Sequence, residues 1–157
     1  PGHHLQFVVQ NRIDSRIRRM ADHAVFYEGW TLWCEHLTVQ EYLADFPELR
    51  LLQLRDALWR ACRIVIDCGI QTGTMTIARA RKLLVEEVGF TPARAKGDLN
   101  WYTSAPSIPM SYLLGFYELQ KTRERYLRFH PRATLREFHD WALNFGAVPW
   151  SWIRETL

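Results

Sequence analysis

Two histidines and a glutamate have the greatest chemical reach in this sequence: His3 and His4 in Pro1-Gly2-His3-His4, and Glu28 in Tyr27-Glu28-Gly29-Trp30-Thr31-Leu32-Trp33. Imidazole nitrogen and carboxylate oxygen both suit zinc. Two histidines with one glutamate leave a fourth tetrahedral position open for water or substrate. His3 and His4 precede Glu28 by 25 and 24 residues, which lets two consecutive helices face each other. Glu28 and Glu35 stand seven residues apart, two helical turns, so they share one helix face with Leu32 between them. A carboxylate among Phe26, Tyr27, Trp30 and Trp33 is costly to bury unless it meets a cation or strong hydrogen bonds. The plainer alternative places Glu28 at the exposed edge of an amphipathic helix. Gly-His-His also matches the remnant of an expression tag, although the following Leu5-Gln6-Phe7-Val8-Val9 is apolar and helix-like, unlike a tag. His23, His36, His130 and His139 share no metal-ligand spacing.

Two further side chains are candidates for work on a substrate. Arg60, Arg63 and Asp67 fall at steps of three and four within a helix carrying Leu58, Ile64, Val65 and Ile66. An internal ion pair is the structural reading; a grip on a substrate carboxylate by Arg63 is the functional one. Tyr112, just past Pro109 at a helix start, is placed to donate a hydrogen bond to an oxyanion, or else simply to pack.

The elements that must position these groups are all helical. Apolar residues recur near every 3.6 positions, and no window alternates as a half-buried strand would. The fold class is therefore all-α, a bundle of about seven helices in a single domain over residues 1–157. Residues 3–23 read as one helix with Leu5, Val8, Val9, Ile13, Ile17 and Met20 on its apolar side and solvated arginines elsewhere. A second covers about 26–44 and ends at Phe46-Pro47; a third runs from about 48 to Gly69. Thr74 or Thr76 caps a helix that reaches Val88, Gly89 supplies a left-handed end, and Thr91-Pro92 starts the next. Residues 104–110 break the pattern before a long helix over about 110–129. Thr134 and Glu137 form a capping box for a helix to Phe145, and a short last helix starts at Pro149.

Composition narrows the function classes. Hydrophobic residues make up 48% and aromatics 13%, including seven Trp, which is enough for a packed core. The 20 basic and 17 acidic residues are interspersed without a run of five like charges, so nucleic acid is not implied. No stretch of 18 apolar residues suggests a membrane span. Cys34, Cys62 and Cys68 lack metal or disulfide spacing and read as buried thiols of a reducing compartment, hence a cytoplasmic expectation.

Taken together, Pro1-Gly2-His3-His4-Leu5-Gln6, Tyr27-Glu28-Gly29-Trp30-Thr31-Leu32-Trp33-Cys34-Glu35 and Arg63-Ile64-Val65-Ile66-Asp67-Cys68-Gly69-Ile70 resemble, in order and spacing, the bacterial family named domain of unknown function 885. Ser111-Tyr112 within residues 106–115, and the segments 135–139 and 146–149, look like that family's closing motifs. The resemblance covers essentially the whole chain. It implies a helical zinc metallopeptidase in which a His-Glu pair stands immediately before the Pro-Gly-His-His motif, with the EGW motif supplying a ligand glutamate. Carried over, His3, His4 and Glu28 become metal ligands, with the choice between the two histidines open, and Tyr112 the tyrosine of the closing motif.

The same resemblance makes the chain the C-terminal part of a larger one, inactive alone because the His-Glu pair lies upstream. Its partners would then be a peptide-like substrate and the N-terminal part, with a homodimer expected where that part's docking surface lies bare. Gln71, where the family usually has His, and Trp101-Tyr102, where it usually has Arg-Tyr, depart from the pattern, as does the lack of Gly-Gln-Ala before Tyr112. These departures motivate an alternative, a non-catalytic helical binding or assembly module.

Overall fold

The computed structural model describes residues 2–157, so Pro1 of the Pro-Gly-His-His motif lies outside the described residues. Among these, nine helices and no strand are found: α1 (Gly2–Gln10), α2 (Arg16–Arg19), α3 (Ala24–Tyr42), α4 (Pro47–Gln71), α5 (Ile77–Glu86), α6 (Pro92–Ser104), α7 (Ile108–Phe129), α8 (Leu135–Leu143) and α9 (Trp150–Arg154). The all-α expectation holds. No helix among the described residues is long and apolar enough to cross a membrane.

The single helix expected over residues 3–23 is instead two, α1 and α2, separated by an irregular stretch. The Gln10 side chain explains the break, because its amide reaches forward to the carbonyls of Arg18, Arg19 and Ala21 at 3.3, 3.0 and 2.8 Å. That folds the chain back across the end of α1, and Ser15 then caps α2. The apolar side read from the sequence is not the buried one. Gly2, Gln6 and Gln10 are buried on α1, whereas Ile17 and Met20 are exposed. The Gln6 amide donates to Gln10 Oε1, so the buried row is held by a side-chain ladder, with Ile13 filling the gap beyond it.

Local capping follows the sequence closely. Thr76, Thr91 and Thr134 each accept a backbone N–H at the first turn of α5, α6 and α8, and Thr134 with Glu137 completes the capping box. Gly89 and Gly146 sit at φ +76° and +77°, the left-handed conformation that a helix end favours. Pro47 and Pro92 occupy the first turns of α4 and α6, where a missing N–H loses nothing. Thr76→Ala is expected to destabilise the protein by about 1 kcal/mol, read as a lower urea midpoint at unchanged slope.

The chain divides into two compact units, one formed by the chain up to Leu37 together with Leu114–Leu157, the other by Thr38–Leu113. In the first unit, Phe26, Trp30 and Trp33 of α3 pack with Leu119, Tyr126, Phe138, Ala142, Trp150 and Ile153. Phe26 stacks on Trp150 at 4.6 Å, and the Trp150 indole N–H donates to the Val25 carbonyl at 3.1 Å. In the second unit, α4, α5 and α6 enclose Cys62, Ile66, Leu84, Val88, Phe90, Leu99 and Tyr102.

Candidate functional site

Helix α1 is tied to α3 at its first residue. The Trp30 indole N–H donates to the Gly2 carbonyl at 3.0 Å, and a Cβ on Gly2 would stand 3.1 Å from Thr31 Cγ2. Glycine before the histidine pair thus lets α1 lie against α3. The next residue, His3, then meets Glu28: Nε2 stands 3.5 Å from Oε2. Glu28 is nearly buried, and its Oε2 also faces the Thr31 hydroxyl at 3.5 Å, while that hydroxyl donates to the Glu28 carbonyl at 2.9 Å. Burial, reinforced by the Asp22 and Glu28 carboxylates, holds the Tyr27 phenol above its usual range.

The structure therefore separates the two histidines. His3 is at the carboxylate, 6.0 Å from the Tyr27 ring, and His4 is exposed without a partner among the described residues. At zinc–ligand distances of about 2.0–2.2 Å, two atoms on one tetrahedral ion stand about 3.3–3.6 Å apart. The His3–Glu28 pair fits such an ion in both donor type and spacing. Two donors are fewer than the three protein ligands a catalytic zinc uses, and no group of three or more His, Cys, Asp or Glu side chains gathers among the described residues.

In the second unit, Arg63 and Tyr112, read from the sequence as separate candidates, come together. The Arg63 guanidinium carbon lies 3.8 Å from the Trp59 ring centroid, 5.0 Å from that of Tyr112 and 5.2 Å from that of Trp101. Its Nε–H donates to the Tyr102 hydroxyl at 3.1 Å, which in turn donates to Asp98 Oδ2 at 2.9 Å. The Trp59 indole N–H reaches both of these oxygens at 3.0 Å. Burial pushes the Tyr102 phenol up to about 12 against the opposing pull of Arg63, so it stays a neutral donor.

Arg63 and Asp67 do not pair with each other. Asp67 is fully buried, and its two oxygens take the backbone N–H groups of Ser107 and Met110, each at 3.3 Å. Orphan donors at the start of α7 outcompete a guanidinium already occupied by aromatic faces. Gln71 donates to the Tyr102 carbonyl at 3.2 Å, a role in holding α6 that needs no imidazole.

Two contacts of α3 complete its surroundings. Gly29 approaches Gly115 so closely that a Cβ on it would lie 2.2 Å from the Gly115 carbonyl carbon; paired glycines 86 residues apart give no local signal. His139, which without metal-ligand spacing reads as a satisfied or exposed histidine, is satisfied: it accepts the Trp33 indole N–H at 2.8 Å.

Comparison with known proteins places the chain in context. The family model described as a bacterial protein of unknown function (DUF885) matches residues 1–157. No curated protein matches the chain. A solved protein of Colwellia psychrerythraea, called a putative lipoprotein, is 28% identical with a TM-score of 0.89, over 99% of this chain and 27% of that one. A putative lipoprotein of unknown function from Shewanella oneidensis is 28% identical with a TM-score of 0.87, over 99% of this chain and 29% of that one. The chain thus spans less than a third of the length of either solved protein.

Proposed function

The chain belongs to the DUF885 family, described as bacterial proteins of unknown function, and from that premise we propose that it contributes part of a zinc-dependent hydrolytic centre acting on peptide or amide bonds. The observation that supports this reading is the approach of His3 Nε2 to Glu28 Oε2 at 3.5 Å, the edge length of a tetrahedral zinc site. His3 and Glu28 would hold the ion, and His4, exposed and turned from the carboxylate, would not. Zinc bound there would polarise a scissile carbonyl and bring a water toward ionisation near neutral pH. Because the chain spans less than a third of either solved protein, a longer natural chain would supply the third ligand and the general base. Glu28 is nearly buried on α3, and its carboxylate already stands toward His3, with Oε2 also facing the Thr31 hydroxyl at 3.5 Å.

Metal content of the natural protein containing this sequence tests the reading. One zinc or other divalent ion per chain is expected, with Glu28→Gln and His3→Ala each weakening retention at least about a hundredfold and His4→Ala leaving it unchanged. Loss of metal in His4→Ala with retention in His3→Ala would reverse the ligand assignment. Absence of stoichiometric metal, with a melting temperature indifferent to a chelator, would sink the reading. It would leave the chain as a non-catalytic helical binding or assembly module.

A further inference from the structure

A buried guanidinium is normally paired, because taking a charge out of water is costly without a counter-ion. Arg63 is 7% exposed, yet it forms no ion pair among the described residues. Its stabilisation comes from faces and one edge. The Trp59 ring centroid lies 3.8 Å from its guanidinium carbon, those of Trp101 and Tyr112 stand at 5.2 and 5.0 Å, and only Nε–H is spent, on the Tyr102 hydroxyl. Of the five N–H donors of a guanidinium, the four on the Nη atoms have no acceptor among the described residues. Nor are those atoms among the sealed, unpartnered ones, so they keep access from outside.

The rest of the cluster fixes the orientation. Tyr102 cannot turn away, because its hydroxyl donates to Asp98 while accepting from both Arg63 and the Trp59 indole. Asp98 supplies the balancing charge one hydrogen bond removed from the guanidinium, which leaves the outer edge of Arg63 positive and planar. That is the shape a carboxylate meets with two parallel hydrogen bonds. Phosphate is the poorer match, since a dianion asks for further donors and the surrounding groups are aromatic rings.

We propose that Arg63, walled by Trp59, Trp101, Tyr102 and Tyr112, is a binding site for the carboxylate of a small organic acid whose apolar body packs on the indole rings. The site stands on residues of the second unit alone and does not depend on the metal reading.

Benzoate is the probe, titrated into the natural protein containing this sequence and followed by tryptophan fluorescence and by the side-chain Nε–H resonance of Arg63. One saturable event that shifts that resonance is expected, at least tenfold weaker in Arg63→Lys, which keeps the charge but loses the fork. Benzamide, with the same ring and no charge, should fail to bind. Arg63→Lys must retain its helical circular dichroism for its result to count; the resonance shift in the unaltered protein tests the site independently. An unmoved Arg63 resonance, equal binding of benzamide, or inorganic phosphate binding tighter than benzoate would each overturn the proposal.

Discussion

Gly29→Ala is expected to destabilise the protein by about 3 kcal/mol, the upper end of what forced overpacking costs, or to prevent folding. An ideal Cβ on Gly29 would lie 2.2, 2.5 and 2.6 Å from the carbonyl carbon, Cα and carbonyl oxygen of Gly115. All three are backbone atoms, so no rotamer change can make room. The reverse substitution is equally blocked, since a Cβ on Gly115 would stand 2.1 Å from the Val25 carbonyl oxygen. That carbonyl already accepts the Trp150 indole N–H, so shifting it also disturbs the Phe26–Trp150 stack. The same change at Gly97 is the control. Nothing lies within 4 Å of a Cβ there, and Gly97 is inside α6, where alanine is the better helix former. Gly97→Ala should therefore stabilise by about 0.5–1 kcal/mol. Urea denaturation of the three variants checks the pair of signs; a Gly29→Ala midpoint equal to that of the unaltered protein would show that α3 and α7 can separate at no cost.

The glycine pair also shows where sequence reasoning runs out. Helical periodicity, threonine caps and glycine ends are local properties, and so the all-α class, the Thr76, Thr91 and Thr134 caps and the left-handed Gly89 and Gly146 could be read directly. Spacing has no access to tertiary contacts. The break after Gln10 depends on a side chain reaching carbonyls eight to eleven residues ahead. The unit boundaries after Leu37 and before Leu114 carry no compositional mark, because each falls inside a helix, α3 and α7. For the candidate site, spacing left Glu28 between a buried ligand and an exposed edge; the 24- and 25-residue separations allowed the histidine pair to face it, and the resemblance favoured that pairing. Gly2 packs against Thr31, and it is His3 rather than its neighbour that meets Glu28. Arg63 and Asp67 illustrate the opposite failure: their four-residue step is right for an ion pair, but backbone donors forty residues away claim the carboxylate.

His139 gives the protein an acid limb that can be assigned to one side chain. Its Nε2 accepts the Trp33 indole N–H at 2.8 Å, which requires that nitrogen to be unprotonated. Burial, with the Arg123 guanidinium adding to it against Asp140, lowers its pKa from the usual 6.5 to about 4. Between those two values the unfolded chain takes up a proton that the folded chain refuses. The stabilisation is therefore complete above about pH 6.5 and is lost as pH falls toward 4. A tenfold difference in proton affinity is worth about 1.4 kcal/mol; discounted because the imidazole keeps partial contact with solvent, the loss across this window is roughly 2 kcal/mol. Carboxylates elsewhere also titrate near the lower end, so the difference between two proteins is the informative quantity. His139→Gln keeps an acceptor within reach of Trp33 and does not titrate. Its urea midpoint should fall less than that of the unaltered protein between pH 7 and 4.5, and parallel falls would mean that the Trp33–His139 hydrogen bond does not exclude the proton.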